Sequence, residues 1–150
     1  MSIYFYLERE HPYGCFSNFS LHGFELDGNY WLTSEHYFQA QKFIGTVYAE
    51  QVRAASTPKQ AAEIGRERSN PLRPDWEQVK DDVMYRAVLK KFQTHGNIGS
   101  ILVSTGNEDI VENSPTDYYW GCGKSGTGQN KLGIVLMDVR TLLRATVQEP

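Results

Sequence analysis

Residues Trp31 to Phe43 read W-L-T-S-E-H-Y-F-Q-A-Q-K-F. Thr33-Ser34 is an N-cap signal and Gly45 a stop, so a helix of about three turns is expected. At roughly 100° per residue, Glu35, Gln39 and Lys42 fall within one arc. Phe43, His36, Ala40, Ile44 and Tyr37 fall opposite and read as core. The polar arc stacks a carboxylate, an amide and an amine, groups capable of acid, base or nucleophile chemistry. It also reads as a solvated face with Glu35 favoured near the helix N-terminus, and the segment taken alone favours that reading.

Outward from this helix the chain is mostly helical. Strands are expected at residues 3–7 and 109–112, and Asp27-Gly28-Asn29 between residues 24–26 and 30–32 signals a hairpin. Helices are expected at residues 47–55, at 58–64 (Thr57 cap, Pro58 at the first position, Gly65 stop), at 76–92 (Asp75 and Gln78 as a capping box), at 98–104 and at about 130–144. The strands do not alternate with helices in a βαβ rhythm, which argues against a doubly wound parallel sheet. A helix-rich α+β fold with a few short strands is expected, as one domain over residues 1–150.

Composition narrows the function. A chain of 150 residues has the size of one domain. The net charge of −3 provides no overall basic field for an extended nucleic-acid surface, though a local anion site stays open. No apolar run approaches the roughly 18 residues of a membrane span, and the first residues lack the pattern of a signal peptide. Cys15 and Cys122 do not make a disulfide framework, so reduced thiols and a cytoplasmic location are expected. His11, His22, His36 and His95 are scattered, without C-x-x-C or H-E-x-x-H, so no metal site is expected. His36, on the apolar arc, reads as a hydrogen-bonded core residue.

Two further segments carry candidate chemistry. Asp117 to Gly133 reads D-Y-Y-W-G-C-G-K-S-G-T-G-Q-N-K-L-G. Glycines such as Gly121 and Gly123 let a backbone approach a ligand, and the following helix N-terminus offers N–H groups to an anion. Asp117 and Trp120 beside them can hold a planar base and its sugar. A flexible surface loop is the other reading, and neither a dinucleotide fingerprint nor a P-loop fits the context. Gly65 to Trp76, G-R-E-R-S-N-P-L-R-P-D-W, gathers Arg66, Arg68 and Arg73, whose forks suit phosphate, or which decorate a solvated connector.

These segments, in this order, resemble the YbiA-like family of the NADAR superfamily, named for NAD and ADP-ribose. The resemblance rests on F-S-N-F at Phe16 to Phe19, T-S-E-H-Y-F-Q-A-Q-K-F at Thr33 to Phe43, and G-R-x-R-S-x-P-L-R-x-x-W at Gly65 to Trp76. It continues in V-M-x-x-A at Val83 to Ala87, D-x-x-W-G-x-G at Asp117 to Gly123, and G-x-N-x-L-G-x-x-L-M at Gly128 to Met137. It implies an N-glycosidase that cleaves the bond between a ribose and a base-like amine and needs no cofactor. One branch of the family hydrolyses ribosylamino-pyrimidine phosphates that begin riboflavin synthesis, and another removes ADP-ribose from guanine bases. No motif here separates the two. Glu35, Lys42, Trp76, Asp117 and Trp120 match positions linked to function, and Asn18 is expected to line the same pocket.

The chemistry of those residues agrees with that implication. Breaking an N-glycosidic bond builds positive charge at the anomeric carbon, which Glu35 or Asp117 can stabilise. Lys42 can attack that carbon and hold the opened sugar as a Schiff base, provided its pKa is lowered. Trp76 and Trp120 can stack the base, and Arg66, Arg68, Arg73 and Lys124 can hold a phosphate. Three functions compete: a metabolite N-glycosidase, an ADP-ribosyl hydrolase acting on guanine, and a catalytically silent ADP-ribose or NAD binding module. The acidic charge favours a small-molecule substrate, and the intact Glu35, Lys42 and Asp117 disfavour the silent module.

Overall fold

The Thr33 hydroxyl accepts the His36 N–H at 3.1 Å and opens helix α1, Ser34–Gln41. The structure, a computed structural model, describes residues 1–147. It is an α+β fold with six helices and four short strands among those residues. Helix α1 is shorter than its sequence predicts. After Gln41 the ladder tightens, with Lys42 N–H donating to Gln39 O and Phe43 N–H to Ala40 O, and the chain leaves through Gly45 at φ 82°. The solvated face expected for this helix is overturned, because every residue from Ser34 to Gln41 is buried. His36 matches its core reading: its ring contacts the Thr33 hydroxyl at 2.8 Å and the Ala55 carbonyl at 2.9 Å.

Contacts divide the chain into two compact units. The unit holding α1 runs from Leu21 to Lys91. Strands β2 (Phe24–Leu26) and β3 (Asn29–Trp31) pair antiparallel in it, with Leu26 opposite Asn29. The turn is therefore the two residues Asp27-Gly28, both at positive φ, and Asn29 begins the second strand rather than belonging to the turn. Asp27 then bridges the hairpin to two helices, accepting the Tyr37 hydroxyl and the Arg86 guanidinium at 2.6 Å each. Helices α2 (Val47–Arg53) and α3 (Pro58–Gly65) pack on α1, and α3 starts as expected from Thr57 with Pro58 in its first turn. Residues 76–91 of α4 (Trp76–Thr94) complete this unit.

The second unit comprises Met1–Ser20 and the chain from Phe92 onward. Strand β1 (Ser2–Phe5) pairs parallel with β4 (Asp109–Glu112), Ser2 opposite Asp109. A 3-10 turn, Tyr13–Phe16, seats Phe16 against Phe5 and Phe92. Helix α6 (Lys131–Val147) packs on β4 and on α5 (Gly96–Ser104). Buried Arg140 on α6 donates to the Thr105 hydroxyl at 2.9 Å and the Glu108 carbonyl at 2.8 Å, closing the turn before β4. No helix of the described residues is long and apolar enough to cross a membrane.

Candidate active site

The polar arc of α1 is an enclosed cluster. Glu35 is 6% exposed and Gln39 3%. One turn apart, they are joined by the Gln39 Nε2 donating to Glu35 Oε2 at 2.7 Å. Lys42, at the C-cap, donates its Nζ to the Gly65 carbonyl at 3.1 Å. That amine lies 5.7 Å from the centre of the Phe38 ring and 6.0 Å from that of Trp76. Phe38 and the buried Trp76 meet edge to face at 5.2 Å. The connector that carries Gly65 and Trp76 is tied to α1 by the Arg73 N–H, which donates to the Lys42 carbonyl at 2.9 Å.

This setting lowers the Lys42 pKa below the ordinary lysine range. Burial is the largest cause, and the Arg66 and Lys80 charges push the same way, while the Glu35 carboxylate opposes them. An amine that sheds its proton more readily is capable of nucleophilic attack, and the carboxylate two turns behind it is capable of stabilising positive charge.

Gly65 makes this packing possible. A Cβ there would overlap Gln39 Oε1 and lie 2.8 Å from Gln39 Cβ. Gly65→Ala should push α3 off α1, withdraw the carbonyl that holds Lys42, and cost about 1–3 kcal/mol by overpacking. Parental denaturant midpoint and turnover in that variant would contradict this packing.

The three arginines separate. Arg73 is held by Asp75 in a two-pronged pair at 2.6 and 3.0 Å. Asp75, expected as the side-chain partner of a capping box, spends its carboxylate on Arg73, and its carbonyl accepts the Gln78 N–H at 3.0 Å. Arg66 and Arg68 are exposed, and only Arg66 acts electrically on Lys42.

Asn18, Asp117, Trp120, Gly121, Gly123 and Lys124 belong to the other unit. Asn18 is buried after the 3-10 turn, whereas Lys124 is exposed. Asp117 Oδ1 accepts the N–H groups of Tyr119 at 3.0 Å and Trp120 at 2.8 Å, so this carboxylate shapes its own turn. Gly121 and Gly123 do not leave the backbone open. A Cβ on Gly121 would lie 2.9 Å from the Glu112 carbonyl, and one on Gly123, at φ 70°, would overlap the Tyr118 ring. The expected anion site at the start of α6 is also occupied. The N–H groups of Asn130, Lys131 and Leu132 donate to the carbonyls of Gly121, Tyr119 and Trp120 at 3.0 Å each.

Several residues of consequence escaped the sequence reading. Phe38 and Lys80 are one turn from recognised residues, Lys42 and Trp76, and that i,i+4 spacing is the signal that marks them. Asn130 gave a signal only in its motif. Its side chain accepts the Glu112 N–H and donates to the Ile110 carbonyl, both at 2.9 Å, bracketing β4. Among the described residues no group of three or more His, Cys, Asp and Glu is placed to hold a metal ion.

Comparison with known proteins gives consistent matches. A family model described as NADAR domain matches residues 4–144. An N-glycosidase of Nostoc punctiforme is 52% identical over 147 residues, covering 96% of this chain and 94% of that protein. The N-glycosidase YbiA of Escherichia coli is 47% identical over 131 residues, covering 87% of this chain and 82% of its own length. The NMR structure of E. coli YbiA superposes with a TM-score of 0.91 at 44% identity, over 100% of this chain and 90% of that one. The chloroplastic riboflavin biosynthesis protein PYRR of Zea mays is 41% identical over 90% of this chain, which spans 24% of that longer protein.

Proposed function

The chain belongs to the NADAR domain family, and we propose that it is an N-glycosidase that hydrolyses the bond between a ribose phosphate and a base-like amine, as in the ribosylamino-pyrimidine intermediates of riboflavin synthesis. One family model spans both compact units, which supports reading them as a single domain. The observation that carries the reaction is the half-buried Lys42 amine beside the Phe38 and Trp76 rings, at the C-cap of the helix that holds the buried Glu35. The relatives named as N-glycosidases and as a riboflavin biosynthesis protein support the bond and the substrate class.

In this reading the neutral Lys42 amine forms a bond to the anomeric carbon as that carbon's bond to the base nitrogen breaks. The newly bonded Lys42 nitrogen sheds a proton, the departing nitrogen takes one up, and it leaves as an amine. The sugar ring opens to a Schiff base on Lys42, water adds to the imine carbon, and Lys42 departs. The net change is one water consumed, with free ribose phosphate and free amine released. Glu35 stabilises the positive charge at the anomeric carbon. Arg66 and Arg68 provide charges for the phosphate, while Arg73 contributes by holding the connector through Asp75. Asp117 shapes the turn that carries Trp120, and Asn18, Gly121 and Gly123 lie in the same compact unit. Neither cysteine is in a disulfide, which suits a cytoplasmic metabolite enzyme.

The test is hydrolysis measured side by side on ribosylamino-pyrimidine phosphate and on ADP-ribosylated guanine. The proposal expects ribose phosphate from the first. Cleavage of the second alone would overturn the substrate class, and cleavage of neither would overturn the activity.

Trp120 provides a separate check. It is only partly buried, and it contacts Tyr119 edge to face at 4.8 Å. Trp120→Ala should raise KM by about tenfold with helical content intact, since stacking on an aromatic ring is worth about 1–3 kcal/mol per base. An unchanged KM in a folded variant would remove Trp120 from the site.

A further inference from the structure

We propose that Gln39 is a positioning residue that holds Glu35 as a carboxylate for the N-glycosidic reaction, a reading that rests on the role given to Glu35 above. The Gln39 amide is buried and donates from Nε2 to Glu35 Oε2 at 2.7 Å. Its other end is unusual. Oε1 is buried with no hydrogen-bond partner, and it occupies the space left by the missing side chain of Gly65.

An unpaired buried carbonyl opposes folding, so this amide is poorly explained as a stabilising device. Turning it over would be worse. The carbonyl would then face Glu35, which a carboxylate tolerates only by taking up a proton. The observed orientation therefore matches an ionised Glu35. A hydrogen bond donated to a carboxylate favours its charged form. This fits Glu35 as a stabiliser of cationic charge or an activator of water, and not as the acid that protonates the leaving amine.

Glu35, Arg66 at the exit of α3 and Lys80 on α4 all act electrically on Lys42, and Lys80 is itself paired with Glu77 at 2.8 Å. The experiment therefore compares the parent with a variant that keeps all of these groups.

Gln39→Met retains length and removes the donor. Protein labelled with ¹³C at the glutamate carboxyls is titrated by NMR, and the Glu35 signal is the one missing from Glu35→Gln. The Glu35 midpoint should rise by about one pH unit in Gln39→Met. Turnover should fall by about tenfold or more, KM should stay near the parent's, and the thermal midpoint should not fall. A Glu35 midpoint that does not move, or turnover at the parental level, would overturn the proposal. Gln39→Glu serves if the Met variant does not fold. Two carboxylates at that spacing must share a proton, so the pair should titrate with one value raised well above the parent's. Glu35 titrating there as in the parent would also overturn it. Glu35→Gln at the parental rate would remove the role of Glu35 itself. Glu35→Gln inactive, with Gln39→Met like the parent, would remove only Gln39.

Discussion

Glu35→Gln should fold like the parent and turn over about 10²–10⁴-fold more slowly. The substitution keeps the shape of the side chain. Its carbonyl can still accept the Gln39 Nε2 that now donates to Glu35 at 2.7 Å. What disappears is a negative charge in a buried position. A buried carboxylate has lost much of its hydration, so its removal should leave the thermal midpoint equal to the parent's or above it. An exposed first-turn carboxylate would behave differently, with a small loss of stability and no loss of rate. Measuring kcat and the thermal midpoint together separates the cases. A sharply lowered midpoint with normal turnover of the folded fraction would make Glu35 a structural residue.

Lys42→Arg should be inactive. The guanidinium keeps the charge but cannot form an imine. Lys42→Met should also be inactive, yet more stable than the parent near neutral pH. The folded protein holds the Lys42 proton less firmly than the unfolded chain does, because burial lowers its pKa. Between the lowered folded value and the ordinary lysine value the unfolded chain binds more protons, so parental stability rises with pH across that window. The cost of burying this amine is thus full below the folded pKa and gone above the ordinary value. The stability advantage of Lys42→Met should shrink as the pH rises through the window. Denaturant titrations of both proteins at neutral and at alkaline pH read this directly. A difference that grows with pH would reverse the sign of the shift.

The sequence disclosed local structure better than enclosure. The cap at Thr33, the start of α3 at Thr57-Pro58 and the antiparallel hairpin around Gly28 follow from chemistry within a few residues, and each formed. The length of α1 did not, because its last turn tightens through i to i−3 bonds that periodicity cannot distinguish from an α-helix. The burial of Glu35 and Gln39 was also hidden. Their arc looks solvated until α3 and the start of α4 cover it, and those contacts join residues distant in sequence. The glycine-rich segment was ambiguous for a related reason. Glycine permits close approach by any group, and here the approaching groups are the loop's own Tyr118 ring and Glu112 carbonyl. Lys42 was recognisable as a candidate nucleophile, but its lowered pKa depends on Phe38, Trp76, Arg66 and Lys80 converging on it.

The most direct test is chemical trapping at Lys42. Protein turning over ribosylamino-pyrimidine phosphate is treated with borohydride, digested, and weighed peptide by peptide. Reduction of the imine should leave one ribose phosphate on the peptide containing Lys42, in amounts that depend on substrate, with no such adduct in Lys42→Arg. Product formed at the parental rate by Lys42→Arg, with no adduct trapped on the parent at any time, would contradict the covalent route. It would assign the reaction to water attacking beside Glu35 or Asp117.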